Sequence, residues 1–100
     1  MKYIGLLPIG SVVTLKNSEE QDVMIAGYCV RKADETEKLF DYCGCLHPVG
    51  MLGPQNTLLF NHGQIRKIKA VGYVSDASYV VIPRMEEILG ELRKEKEGQK

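Results

Sequence analysis

The sequence predicts an α+β domain: a small antiparallel sheet, or an SH3-like partly open barrel, of four to five strands with a C-terminal helix. Three observations carry this. Runs rich in β-branched and aromatic residues, each of strand length, recur between residues 11 and 73, separated by Gly, Pro, Asn and Asp. Helical periodicity is confined to the C-terminal part, where Met85, Ile88, Leu89 and Leu92 fall at i, i+3, i+4 and i+7. The chain has 100 residues. That is one domain's worth, enough to bury roughly 60–70% of the unfolded surface around one modest core. Residues 1–96 read as that single domain and residues 97–100 as a frayed, charged tail.

The elements follow in order. Pro8 and Gly10 mark a turn, and Ser11–Leu15 reads as the first strand. Lys16–Asp22 is polar and reads as a hairpin loop. Val23–Val30 is nearly all apolar and reads as a second strand, with Gly27 marking a bend. After a charged loop at residues 31–38, Leu39–Leu46 is the third strand. His47–Pro54 carries two prolines and two glycines and predicts irregular chain. Thr57–Phe60 predicts a short strand, Asn61 a cap on a single turn over 62–65, and Ile68–Tyr73 a last strand. The helix is placed from about Pro83 to Glu95, because proline suits a first helical turn. Tyr79–Ile82 is open between a strand and an earlier helical section kinked at Pro83.

Charge and composition exclude several classes. Thirteen basic residues balance 13 acidic ones, so the basic excess of a dedicated nucleic-acid binder is missing. An apolar content of 44% argues against a disordered chain. No apolar run approaches the length of a membrane span, and Gly5 and Pro8 cut the N-terminal one too short for a signal peptide. A cytoplasmic location is expected. The three cysteines, Cys29, Cys43 and Cys45, are an odd number and argue against a disulfide framework.

Four constellations bear on chemistry. Cys43, Cys45 and His47 are spaced by two, so a strand would project them to one face, and Cys29 would complete a Cys3His zinc set. The C-x-C-x-H spacing is not that of a zinc knuckle, and cysteines also serve a sheet as small hydrophobes, so no metal and no cofactor is expected. The two histidines, His47 and His62, lie in no local nucleophile motif, and phosphate-binding glycine loops are absent; no enzyme activity is expected. Arg66, Lys67 and Lys69 beside Tyr73 make a basic patch that a small barrel would use on single strands. The same residues would serve a solvated strand edge. Finally, aromatics on the strands, with Met51 and Leu52, are either core or a protein-binding surface.

Five ordered pieces add to this reading. They are Leu7-Pro8-Ile9-Gly10-Ser11-Val12-Val13-Thr14-Leu15, Met24-Ile25-Ala26-Gly27, the Asp41-Tyr42 pair with Gly44 and Pro48, Phe60-Asn61-His62, and Gly72-Tyr73. Together they resemble a family of small Gram-positive bacterial proteins classed as a domain of unknown function. The resemblance covers about residues 6–76. Such proteins are commonly encoded beside type VII secretion components and LXG-domain antibacterial toxins. The resemblance therefore implies a non-enzymatic cytoplasmic accessory, a chaperone or targeting adaptor for a secreted toxin, with no catalytic residues to carry over. Gly63 and Gln64 stand where acidic residues are common in the family. The glycines and Pro8 of the pattern read as backbone geometry; Asp41 and Tyr42 are residues a fold does not obviously need.

The expected partner is a protein, with nucleic acid and membrane not expected and the oligomeric state open. The expected contact residues are Tyr28, Tyr42, His47, Met51, Leu52, Asn61 and His62. The alternatives are a small-barrel nucleic-acid binder and a zinc-stabilised interaction domain.

Overall fold

The computed structural model describes residues 5–32 and 37–98, with side chains described as far as Lys94. Five antiparallel strands form one sheet: β1 (Val12–Leu15), β2 (Ser18–Arg31), β3 (Leu39–Leu46), β4 (Leu58–Phe60) and β5 (Ile65–Ala70). The order across the sheet is β4-β3-β2-β1-β5. A single helix, α1 (Ser78–Gly98), follows. The α+β class and the C-terminal helix are therefore as the sequence predicts. The sheet is open, with β4 and β5 as its two edges, and is not a closed barrel.

Three boundaries differ from expectation. The expected loop Lys16–Asp22 is a two-residue turn, Lys16-Asn17, and β2 begins at Ser18. Its first residues are polar because that part of the strand is exposed, so no alternation of apolar residues betrays it. Backbone pairing of Leu15 with Ser18 holds it, as do ion pairs from Arg66 to Glu19 (2.9 Å) and from Lys69 to Asp22 (3.0 Å). The irregularity expected at Gly27 lies one residue earlier: the β2–β3 register shifts between Ile25 and Gly27, leaving Ala26 as the extra residue. The last strand starts at Ile65 and stops at Ala70, because Gly72 leaves the ladder and donates its N–H to Ser11 Oγ at 2.9 Å. A side chain at Gly72 would run into the carbonyl of Ile9, so only glycine permits this close crossing.

Tyr79–Ile82 is helical. The helix begins where Ser75 N–H donates to Ser78 Oγ (3.1 Å) and Ser78 N–H donates to the Ser75 carbonyl (3.0 Å). Pro83 falls inside α1. It stands in the second turn, so the bond that an N–H there would give to the Tyr79 carbonyl is missing from the helix. The helix continues past the expected Glu95 to Gly98; Gln99 and Lys100 of the expected tail lie outside the described residues. No described helix is long and apolar enough to cross a membrane.

The core lies between the sheet and α1. Leu89 is the helix residue that enters it, with Ile82, Met85 and Leu92 packed partly against it. Ile88, expected on the same face, stays outside this cluster. Val13, Ile25, Tyr42, Phe60 and Ile65 come from the sheet. Leu6, Leu7 and Pro8 precede the first strand yet are buried, so an irregular segment runs through the middle of the core.

Candidate functional site

A buried irregular segment must find partners for its backbone polar groups. Two tyrosines supply them. Tyr42 stands in β3 between Tyr28 on β2 and Phe60 on β4, paired with each across the ladder. Its hydroxyl accepts the Leu7 N–H at 2.9 Å, while the Tyr28 hydroxyl donates to the Leu7 carbonyl. Both polar groups of Leu7 are thus satisfied by side chains. The Tyr42 hydroxyl lies 2.6 Å from His62 Nδ1. Burial pushes the Tyr42 phenol well above its ordinary range, against a smaller lowering from the Leu7 N–H, so it stays protonated at neutral pH. The hydroxyl therefore bridges the Leu7 N–H and the His62 imidazole.

Asp41, one residue earlier, gathers the other side of the network. Its Oδ2 accepts the backbone N–H of His62 at 2.8 Å, and its Oδ1 is 2.7 Å from the Arg93 guanidinium. The Asp41 N–H donates to Asn61 Oδ1 at 3.0 Å, which Arg93 also approaches at 3.3 Å. Asn61 donates its own N–H to Gln64 Oε1 at 2.8 Å, closing the short turn His62–Gln64 after β4. The cap that the sequence assigns to Asn61 is on this turn. Asp41 and Tyr42, residues a fold does not obviously need, hold the end of β3, the turn after β4, the Leu7 segment and α1 together. No buried side-chain nitrogen or oxygen among the described residues lacks a partner.

A shallow pocket of about 240 Å3 opens beside this network, bordered by Leu6, His62, Glu86, Leu89, Gly90 and Arg93. Its most buried charge, Asp41, already faces Arg93 and the His62 N–H. Asp41, His62 and Arg93 are each bonded within the network.

The expected contact residues divide into two groups. Tyr28, Tyr42, Asn61 and His62 belong to the network. Tyr42 has no exposed surface, so it cannot touch a partner; its residue type suggests a contact, but its burial follows from Leu7's need for a donor and an acceptor. His47, Met51 and Leu52 lie on the loop between β3 and β4, at the other end of that hairpin, roughly 13 Å along the strand from Tyr42. His47 is exposed, as are Met51 (51%) and Leu52 (69%).

The other constellations resolve as follows. Cys43 and Cys45 do share a strand face, but among the described residues no three His, Cys, Asp or Glu side chains converge on a metal position, so Cys29, Cys43, Cys45 and His47 do not form the Cys3His set. Cys29 has a left-handed backbone (φ 56°) and packs partly against the core, and His47 lies beyond the end of β3. Burial raises the Cys43 thiol, as expected of a cysteine serving as a small hydrophobe. The basic patch is largely neutralised, because Arg66 and Lys69 face Glu19 and Asp22. Sequence reasoning missed Arg93; its signal was its place four residues after Leu89, on the helix face turned to the sheet. It also missed the exposure of Tyr73 (85%), Tyr79 (74%) and Val80 (72%).

Comparison with known proteins gives one positive finding. The model of a family described as a domain of unknown function, DUF4176, matches residues 6–80. That span contains all five strands and the entire Tyr42–His62 network except Arg93. No curated protein and no solved structure matches the chain.

Proposed function

The chain belongs to this family of unknown function, DUF4176, and from that premise we propose that it is a non-enzymatic, cytoplasmic accessory protein of Gram-positive bacteria, a chaperone or targeting adaptor for a type VII-secreted toxin of the LXG kind. The resemblance in its five motif pieces suggests the toxin setting. One structural observation supports a binding role: the polar side chains of the motifs are turned inward to hold the fold, while bulky apolar side chains are left on the surface. Val49, Met51 and Leu52 crowd one loop and are each more than half exposed. Exposed apolar side chains grouped in this way are the usual mark of a protein contact.

Co-expression of the tagged protein with its neighbouring genes, followed by mass spectrometry of what co-purifies, tests this. A toxin or other secretion substrate recovered in stoichiometric amount is expected, with recovery reduced by the double substitution Met51→Ser and Leu52→Ser. Recovery of the tagged protein alone, or with nucleic acid only, would overturn the reading.

A further inference from the structure

We infer that the first two turns of α1 are a self-association face, on which a second copy of this chain packs antiparallel about a two-fold axis at Val80. The inference goes beyond the accessory reading and uses none of the residues of the Val49–Leu52 loop. A surface helix ordinarily turns an apolar stripe to its core and polar or charged residues to solvent. From Arg84 onward α1 obeys this rule: Glu87, Glu91 and Lys94 are exposed, while Leu89 enters the core. Before Arg84 it does not. Ala77, Val80 and Pro83 are three residues apart, which places them on one side of the helix, and all three are exposed. Tyr79 (74%) and Val81 (45%) are exposed on the two flanks of that side. Of this stretch the core takes only Ile82. Tyr73, in the chain that leads to the helix, is 85% exposed.

The face has the size of a reversible interface. An aromatic side chain offers on the order of 150–250 Å2. Tyr73, Tyr79 and the aliphatic residues that follow them therefore present on the order of 600 Å2, so that two copies would bury about 1,200 Å2, the lower end of specific interfaces.

Charge selects a second copy as the occupant. Between Ala70 and Arg84 the chain carries one other charged residue, Asp76. Asp76 and Arg84 are exposed, opposite in sign, and each four residues from Val80. The face thus has no net charge and favours neither an acidic nor a basic partner. It is complementary to itself. An antiparallel pairing about Val80 sets each Asp76 opposite Arg84 of the partner subunit, about 6 Å along the helix from the axis, and satisfies both pairs at once. A parallel pairing would oppose like charges and is disfavoured. Asp76 has no ion-pair partner among the described residues. Arg84 lies 3.4 Å from Glu87, but both side chains are largely in solvent, so this pair contributes little and leaves guanidinium N–H groups for a second carboxylate.

Sedimentation equilibrium of the full chain, from about 1 µM to about 1 mM, tests this over the span in which an interface of this size dissociates. A monomer–dimer equilibrium is expected. Val80→Glu brings two carboxylates together at the axis and should weaken the dimer at least tenfold; Tyr79→Ser is a milder second variant with the same direction. Arg84→Glu sets acid against acid and should weaken it about fivefold, and adding Asp76→Lys to Arg84→Glu should restore it, because the two charges have changed places. Thermal unfolding of each variant at low concentration, unchanged from the parent, shows that the fold is kept. A parent that stays monomeric throughout, a dimer unaffected by Val80→Glu and Tyr79→Ser, or a double variant no tighter than Arg84→Glu would overturn the proposal. A monomeric parent whose co-purified protein is lost on Val80→Glu would overturn it in favour of a different protein on this face. The accessory reading is tested apart from this, since a monomer that still recovers its partner leaves that reading standing.

Discussion

The two ends of the β3–β4 hairpin are opposites. At one end Asp41, Tyr42, Asn61 and His62 converge, bonded to each other, to Leu7 and to Arg93. At the other, the loop through Val49, Met51 and Leu52 projects bulky apolar side chains into solvent. By residue type the first end looks chemical and the second bland. The geometry reverses this. Tyr42 and Tyr28 satisfy the backbone of a buried irregular segment, while Asp41 holds the His62 N–H and Arg93. The loop through Val49, Met51 and Leu52 has only the Thr57 hydroxyl donating to Met51 Sδ and leaves its apolar side chains more than half exposed. Residue chemistry marks a functional site only after the fold's own polar requirements have been met.

Substitutions sharpen the contrast. The largest effect is expected at Tyr42→Ala, which removes a fully buried aromatic ring packed against Phe60 and Tyr28 and leaves Leu7 without its acceptor. A loss of about 3–5 kcal/mol, read from urea unfolding, is expected for such a truncation. A loss below about 1 kcal/mol would show that the network end is not a structural hub.

A smaller effect isolates the hydroxyl. Tyr42→Phe keeps the ring but strands the Leu7 N–H and the facing His62 nitrogen, costing about 1–3 kcal/mol. The same substitution should change the pH dependence at the alkaline end. Because the folded phenol titrates above the ordinary tyrosine value of about 10, the unfolded chain releases this proton first as pH rises. Tyr42 therefore contributes a constant stability below about pH 10 and a declining one above it. The parent should lose more stability than Tyr42→Phe as pH is raised beyond that point. Parallel decline of the two proteins would remove the assignment.

The smallest effect belongs to the opposite end. Met51→Ser and Leu52→Ser should each leave stability within about 0.5 kcal/mol of the parent, since both side chains are more than half exposed. A cost comparable to Tyr42→Phe would mean that the loop packs inward, and the contrast between the two ends would collapse.

Much of the fold was legible because it rests on local patterns. The apolar strand Val23–Val30 lies within β2, Leu39–Leu46 is β3, and Met85, Leu89 and Leu92 mark the helix face that packs on the core. Asn61 before a single turn was readable from capping chemistry alone. Polar strand residues 18–22 were not legible, because an exposed strand has no apolar alternation and is fixed by its neighbours. The sequence left a small antiparallel sheet and a partly open barrel as alternatives, and only the strand order, with β4 and β5 as separate edges, decided for the sheet.

The sequence by itself thus determined the α+β class, the strands to within one, the amphipathic helix and membership of a family through glycines, Pro8 and the Asp-Tyr and Asn-His pairs. Each of these is written in near-neighbour spacing. Only the tertiary structure decided what the pairs are for. Leu7 and Tyr42 are 35 residues apart, Tyr42 and His62 are 20 apart, and Arg93 reaches Asn61 across 32. Contacts at such separations follow from register and packing. The burial of Leu7, outside any pattern a strand or helix would show, turned two tyrosines from apparent contact residues into the partners of a backbone that water cannot reach.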